Sequence, residues 1–247
     1  MEDMDDCDQD SVKGSELDVR KKKKKKSLST RLTMNPDQNI FFYWLLSVTI
    51  CWLYNVWTSI VRQALPELDL EYQNVWWSCD AVCDIVYIAD VVFHFRTSYL
   101  EQGLLVFSSK KLAKHYMNSS EFFYDLLSIL PIDLLQFMFG VQPVLRFPRY
   151  FKMYRACKFY YMVESRTLYP NMWRVLNLVH ILLLLAHWFG CFYYMISKMY
   201  GFVSIWGYPE PKEDFSTLTR KYLASVYWST LTLTTIGDLP TPTNNAE

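Results

Sequence analysis

Glycine, net charge and paired cysteines are what this sequence has little of, and each shortage excludes a class of function. It holds 7 glycines in 247 residues, and none forms a phosphate-cradling loop. Lysine plus arginine number 25 and aspartate plus glutamate 25, so no bulk field points to nucleic acid as a partner. The 6 cysteines are Cys7, Cys51, Cys79, Cys83, Cys157 and Cys191. Cys79 and Cys83 stand one helical turn apart, but no histidine or second cysteine pair completes a metal site. No nucleophile–base pairing stands out either, so an enzyme is not expected. The opening residues MEDMDDCDQD are acidic and do not read as a secretory signal. The first apolar helix is then the expected insertion signal.

What the sequence does have is apolar and aromatic: 51% hydrophobic and 17% aromatic residues. Its mean hydropathy of zero reflects a charged tail diluting apolar helices. Residues 1–35 read as a disordered cytoplasmic tail, acidic first and then basic from Arg20 to Lys26. That basic run places the amino terminus in the cytoplasm by the positive-inside rule. It also suits anionic inner-leaflet lipid, at about 1 kcal/mol per lysine.

The expected first helix runs from Ile40 to Val61, uncharged and long enough for a hydrocarbon core of roughly 30 Å. An acid-rich outer loop follows, with Glu67, Asp69 and Glu71 against Arg62. The second helix, Val75 to Phe95, carries Asp80, Asp84 and Asp90, the first two sharing a face. A basic cytoplasmic loop then holds Arg96, Lys110, Lys111 and Lys114; its sequon at Asn118 faces the cytosol and stays unmodified. The third helix, Glu121 to Phe139, contains Asp125 and Asp133, with a kink at Pro131.

In the fourth helix, VLRFPRYFKMYRACKFYYM, Arg146, Arg149, Lys152, Arg155 and Lys158 recur every third residue. On a 3.6-residue helix they form a slowly spiralling basic stripe. Acids inside a membrane are costly without partners. Asp80, Asp84, Asp90, Asp125 and Asp133 are therefore the expected counter-charges of a voltage-sensor-like domain over residues 36–163. A basic amphipathic helix lying on the membrane surface is the competing reading, but it leaves those acids without partners. Pro148 interrupts the stripe, so the domain reads mainly as a structural relay.

Residues 160–174 form a cytoplasmic linker, and the fifth helix runs from Met172 to Met199 with His180 and His187 on one face. Packing is their expected role, with a metal or proton role as the alternative. An outer turret spans 201–219. A re-entrant helix from Arg220 to Ile236 then carries Trp228, Ser229, Thr230, Thr232 and Thr234. The stretch WSTLTLTTIGDLPTP alternates like a strand, but its setting after a long apolar helix rejects that assignment. Non-helical backbone at membrane depth must line a cavity or be buried in protein. Carbonyl rings and carboxylate rings are two ways to build an ion filter. Thr235, Ile236 and Gly237 supply carbonyls here, and Asp238 supplies charge at the mouth and a transient site for permeant or blocking cations. A buried turn with a surface acid is the plainer alternative.

YWSTLTLTTIGD followed by a proline-containing turn resembles the pore loop of cyclic-nucleotide-gated cation channels. RTLYPNMWRVLNLV and LAHWFGCFYYMISK are similar to that family too, and the resemblance extends back to about Pro36. It implies an all-α membrane protein: a voltage-sensor-like four-helix domain plus the fifth helix and re-entrant pore loop of a six-transmembrane tetrameric cation channel. Residues 164–247 are then an incomplete pore domain. The family's filter usually has Glu after the glycine; Asp238 keeps the charge. Regulatory subunits tend to have Gly there, so the pore-competent, alpha-like type is implied. Potassium channels place Gly-Tyr-Gly at this point; its absence implies a wider filter passing Na⁺, K⁺ and Ca²⁺.

The family continues with a sixth helix and a cyclic-nucleotide-binding domain, whereas this sequence stops at Glu247. The resemblance thus implies cGMP or cAMP as the ligand of a domain that this chain lacks, and no cofactor in the chain itself. Implied partners are membrane lipid, permeant cations and related subunits in a homo- or hetero-tetramer at the plasma membrane. Two other readings stay open: a truncated, non-conducting subunit that modulates full-length partners, and a fragment of a voltage-gated potassium channel.

Overall fold

A computed structural model describes residues 38–132, 142–212, 215–237 and 240–242. The tail at 1–35, Asp133 and Asp238 lie outside the described residues. The elements are α1 (Asn39–Ala64), α2 (Pro66–Glu71), α3 (Gln73–His94), β1 (Tyr99–Glu101), β2 (Leu104–Val106), α4 (Ser109–Met117), α5 (Ser120–Ile129), a 3-10 helix (Pro143–Lys152), α6 (Met153–Arg166), α7 (Pro170–Met199) and α8 (Leu218–Thr234). The fold is almost wholly α-helical. Its one small sheet among the described residues is the β1–β2 hairpin, turned by Gln102 and Gly103 at φ of 52° and 81°.

Proline sets several of the boundaries. The residue before a proline is pushed out of the helical region, so α1 ends at Ala64 and Leu65 takes φ −117°, ψ 78°. Pro66 and Pro170 then open α2 and α7 at their first turns, where a missing N–H costs nothing. The same rule corrects the expected third helix. α5 stops at Ile129 rather than bending through Pro131, because Leu130 is already extended at ψ 123°. Ser119 caps its other end by accepting the Glu121 N–H at 3.1 Å.

The fourth segment departs further from the sequence reading. Pro143–Lys152 is 3-10 helix, with Pro148 inside it, and only Met153–Arg166 is α-helical. At three residues per turn, side chains i and i+3 eclipse. Arg146, Arg149 and Lys152 therefore stand in a straight column rather than a spiral. The rise is about 6 Å per step, against about 4.5 Å in an α-helix.

The expected linker at 160–174 also contracts. α6 continues to Arg166, α7 begins at Pro170, and Arg174 Nε grips Glu164 at 2.7 Å across the break. So short a connection returns α7 onto α1 of the same chain. Trp188 Nε1 donates to the Val56 carbonyl at 3.1 Å.

α1 is the central post, packing on the 3-10 helix, α6, α7 and α3. Its start meets α6 through Phe41, Leu45 and Phe159. Its middle meets α3 through Val48, Cys51, Cys83 and Tyr87. Its end joins α7 and the turret through Ile60, Ala64, Leu65, Tyr194, Trp206 and Tyr208. Among the described residues, α1 and α7 are long and apolar enough to cross a membrane. α3, at 22 residues, has the length but carries Asp80, Asp84 and Asp90. On α7, Val175, Leu178, Leu182 and Phe189 are exposed, as lipid or a neighbouring helix requires.

Candidate functional site

The basic column meets its acids in two tiers. In the outer tier, Asp84 takes both Arg146, at 3.0 Å, and Arg149, at 3.2 Å. Asn55, fully enclosed, supports this tier: its carbonyl accepts from Arg146 Nε at 3.1 Å while its amide donates to Cys51 O at 2.8 Å. Arg149 also donates to the Leu130 carbonyl at 3.2 Å. That carbonyl lies past the end of α5 and also accepts the Ile132 N–H at 2.8 Å.

The centre of the inner tier is completely buried. Lys152 Nζ sits between Asp90 and Asp125, 2.6 Å from each, and none of the three side chains is exposed. Arg155 lies 2.9 Å from Asp125, 3.0 Å from Glu121 and 3.3 Å from Asp90. Tyr154 donates to Asp125 at 2.5 Å, and Tyr116 donates to the same carboxylate. Tyr87, between Asp84 and Asp90 in α3, offers its ring to Lys152 at 5.7 Å. Isolated charges in such surroundings cost several kcal/mol each; here each cation has a carboxylate and each carboxylate has more than one donor. Lys158 is different, half-exposed and 3.5 Å from Glu121.

Asp80 is brought to the ladder only at its edge. It is 3.5 Å from Arg146 but 3.0 Å from Arg62 and 2.9 Å from the Tyr54 hydroxyl. Sequence reasoning placed Arg62 in an outer loop and missed this pair. It also missed Glu121, Asn55, Tyr116 and Tyr154. Glu121 had a signal: it precedes Asp125 by one turn, as Asp80 precedes Asp84. Asn55 and the tyrosines had none, since one amide and scattered phenols occur in any aromatic-rich helix.

At the pore end, α8 packs along α7. Trp228 stacks on Tyr193, ring centroids 4.1 Å apart and planes 8° apart, with Trp206 edge-on at 5.1 Å. Ser229 is fully buried, whereas Thr230, Thr232 and Thr234 return their hydroxyls to carbonyls one turn back. α8 closes on Thr235, whose φ of 55° is left-handed. The Ile236 N–H reaches back to Leu231 O at 3.3 Å and the Thr235 N–H to Thr232 O at 3.2 Å. This is a Schellman-type stop on a β-branched residue that strongly disfavours it. Ile236 is left 78% exposed.

The two histidines of α7 diverge. His187 Nε2 faces the Trp57 carbonyl at 2.9 Å, and its Nδ1 meets the Tyr222 hydroxyl at 3.0 Å. A carbonyl only accepts, so Nε2 carries the proton and His187 ties three helices together. His180 takes a long contact from Trp57 Nε1 at 3.5 Å. No metal-holding cluster of histidine, cysteine or acids occurs among the described residues.

A charge-paired helical bundle, joined by a very short link to a long apolar helix with a shorter helix packed along it, is the membrane domain of an ion channel. The chain belongs to the ion transport protein family, whose profile matches residues 41–247. It is 45% identical over 218 residues to the cyclic nucleotide-gated channel rod photoreceptor subunit alpha of Gallus gallus, covering 87% of this chain and 34% of that protein. It is 40% identical over 219 residues to cyclic nucleotide-gated channel alpha-3 of Homo sapiens, covering 87% and 32%. With alpha-2 of Bos taurus the identity is 41% over 217 residues, covering 87% and 33%. The chain thus spans about a third of the length of these relatives. It is a membrane protein of ion transport and not an enzyme.

Proposed function

We propose that this chain is a pore-forming-type subunit of a cyclic-nucleotide-gated, non-selective cation channel of the plasma membrane, with its amino terminus in the cytoplasm. The observation that carries the reading is the end of α8. The helix stops at Thr235, inside a TTIGD run similar to the relatives' pore loop. In a tetramer, Thr235, Ile236 and Gly237 supply carbonyls around one axis, and four copies of Asp238 form a ring at the mouth. The ring takes Ca²⁺ or Mg²⁺ through carboxylate oxygens, so divalent ions enter but pass slowly and hinder Na⁺ and K⁺. Without further carbonyl layers the filter discriminates little among these ions.

Arg146, Arg149, Lys152, Arg155 and Lys158 are the sensor charges in this reading, with Asp80, Asp84, Asp90, Asp125 and Asp133 as their counter-charges. One charge moved through 100 mV is worth about 2.3 kcal/mol. The inner tier is clamped on every side, which suits a relay more than a travelling sensor. The proposed opening ligand is cGMP or cAMP, bound outside residues 1–247, and the proposed partners are related subunits and membrane lipid.

Inside-out patches from cells expressing the chain, alone and beside a full-length relative, test this with cyclic GMP or cyclic AMP on the inner face. Beside the relative, the expected result is a nucleotide-evoked current with similar Na⁺ and K⁺ permeability. Its outer divalent block should weaken several-fold in Asp238→Asn. A current indistinguishable from the relative's own, with block unaffected by Asp238→Asn, would overturn the proposal.

A further inference from the structure

A second line of ion pairs leaves the ladder sideways and ends on the pore helix. Arg146 Nε lies 3.5 Å from Asp80, and Asp80 holds Arg62 at 3.0 Å. Arg62 also holds Asp69 of α2 at 2.5 Å. Two residues earlier on α2, Glu67 grips Lys221 of α8 with both carboxylate oxygens at 2.7 Å. Arg146 and Arg149 share the single carboxylate Asp84, so the outer tier keeps an excess positive charge that draws Asp80 toward Arg146.

α2 is built to transmit rather than to flex. The residue that precedes it, Leu65, is buried in the outer core beside Tyr194 and Tyr208. The Leu65 N–H donates to Val61 O at 2.8 Å, and Trp76 Nε1 donates to Leu68 O at 3.2 Å. The Arg62 guanidinium lies 5.1 Å from the centre of the Trp76 ring. The side chains of Arg62 and Asp69 are only 5% and 7% exposed, so solvent screens their pair little. Lys221 is 6% exposed and its partner Glu67 62%, so that pair is enclosed from the Lys221 side alone. Lys221 lies in the first turn of α8, a rod of roughly 25 Å whose far end is Thr235. A shift of α2 therefore displaces the whole rod.

We propose that α2 is a strut coupling the outermost sensor charge, Arg146, to the pore helix, with Glu67 and Lys221 as its positioning residues. The inference rests on the channel reading above for its consequence, but not for its geometry.

Two measurements on the chain in membranes test it. A water-soluble carbodiimide joins a carboxylate and an amine in contact as an amide; Glu67 is exposed enough for the reagent, and Lys221 is its nearest amine. The Glu67–Lys221 cross-linked peptide, read by mass spectrometry, should form in the wild type. It should fall several-fold in Arg146→Gln and be retained in Arg146→Lys. Equal yield in Arg146→Gln overturns the coupling, and no cross-link in the wild type overturns the contact.

The second measurement is the open fraction of the channel at opposite membrane potentials. Lys221→Glu should change it several-fold, and the exchange Glu67→Lys with Lys221→Glu should restore it to within about twofold. The effects of Arg146→Gln and Lys221→Gln should be non-additive. Additive effects with no rescue overturn the strut. Absence of any wild-type current defeats the channel reading alone, and the cross-linking arm still decides the strut.

Discussion

Lys152 shows how strongly a single residue can depend on its surroundings. Its ammonium has Asp90 and Asp125 at 2.6 Å and no exposure. Lys152→Gln leaves two buried carboxylates sharing Arg155. Breaking a buried pair in this way costs about 3–5 kcal/mol, which should appear as a lower unfolding midpoint in detergent. Lys152→Arg should cost less, because it keeps the charge. Thr235 is the opposite case, a residue at odds with its own backbone. Its φ of 55° costs about 1–2 kcal/mol for a side chain with a Cβ. Thr235→Gly should therefore gain about 1 kcal/mol in the same unfolding measurement, with an altered filter as the functional consequence. Strain kept at such a position accords with a functional rather than a structural demand.

At the scale of elements, two close fits govern the molecule. One is the 3-10 helix. Ten residues of it are unusual, and the column of ion pairs on one face is what sustains it against the denser α-helix. Pro148 lacks an N–H in either form, but in the α form its ring would also clash with the carbonyl four residues back. Pro148→Ala should let the α-helix of α6 extend toward Pro143 and rotate Arg146 away from Asp84. The expected readout is a shifted voltage dependence of the current, with Arg146→Gln adding little to it. The other fit is α7 on α8. A Cβ at Gly190 would lie 3.0 Å from the Ser225 carbonyl oxygen, so the two backbones approach as closely as glycine permits. Gly190→Ala should push α8 outward and cost about 1–3 kcal/mol, as overpacking does, lowering both the unfolding midpoint and the current per channel at the surface.

For the whole molecule, the proposed ring of Asp238 residues makes a prediction that no single subunit could. Neighbouring carboxylates raise one another's pKa. The ring is charged at neutral pH and takes protons as outer pH falls, so inward current should decline on acidification from outside. Asp238→Asn should remove that decline, as read from outside-out patches at stepped pH; an equally steep decline in the mutant argues for a different proton site. The exposed apolar face of α7 belongs to this scale as well, since one chain alone cannot cover it.

By itself the sequence determined the membrane class, the family, and the bases of the ladder with Asp84, Asp90 and Asp125, because each is carried by local spacing; Glu121 escaped it. Charges at every third residue and acids within apolar runs are visible without a fold. So is TTIGD after an aromatic-rich helix. Helix ends at Ala64 and Ile129 were legible in principle from Pro66 and Pro131, although the second was misjudged as a kink. Only the tertiary structure decided which acid meets which base. Asp80 turned toward Arg62, Glu121 joined Arg155, and Lys221 found Glu67 across 154 positions. The period of the fourth segment was likewise decided by contact. An isolated stretch favours the 3.6 repeat, whose hydrogen bonds are better aligned, and the carboxylates of α3 and α5 tip this stretch to 3.0. Pairing across a fold depends on distances that neither composition nor periodicity encodes.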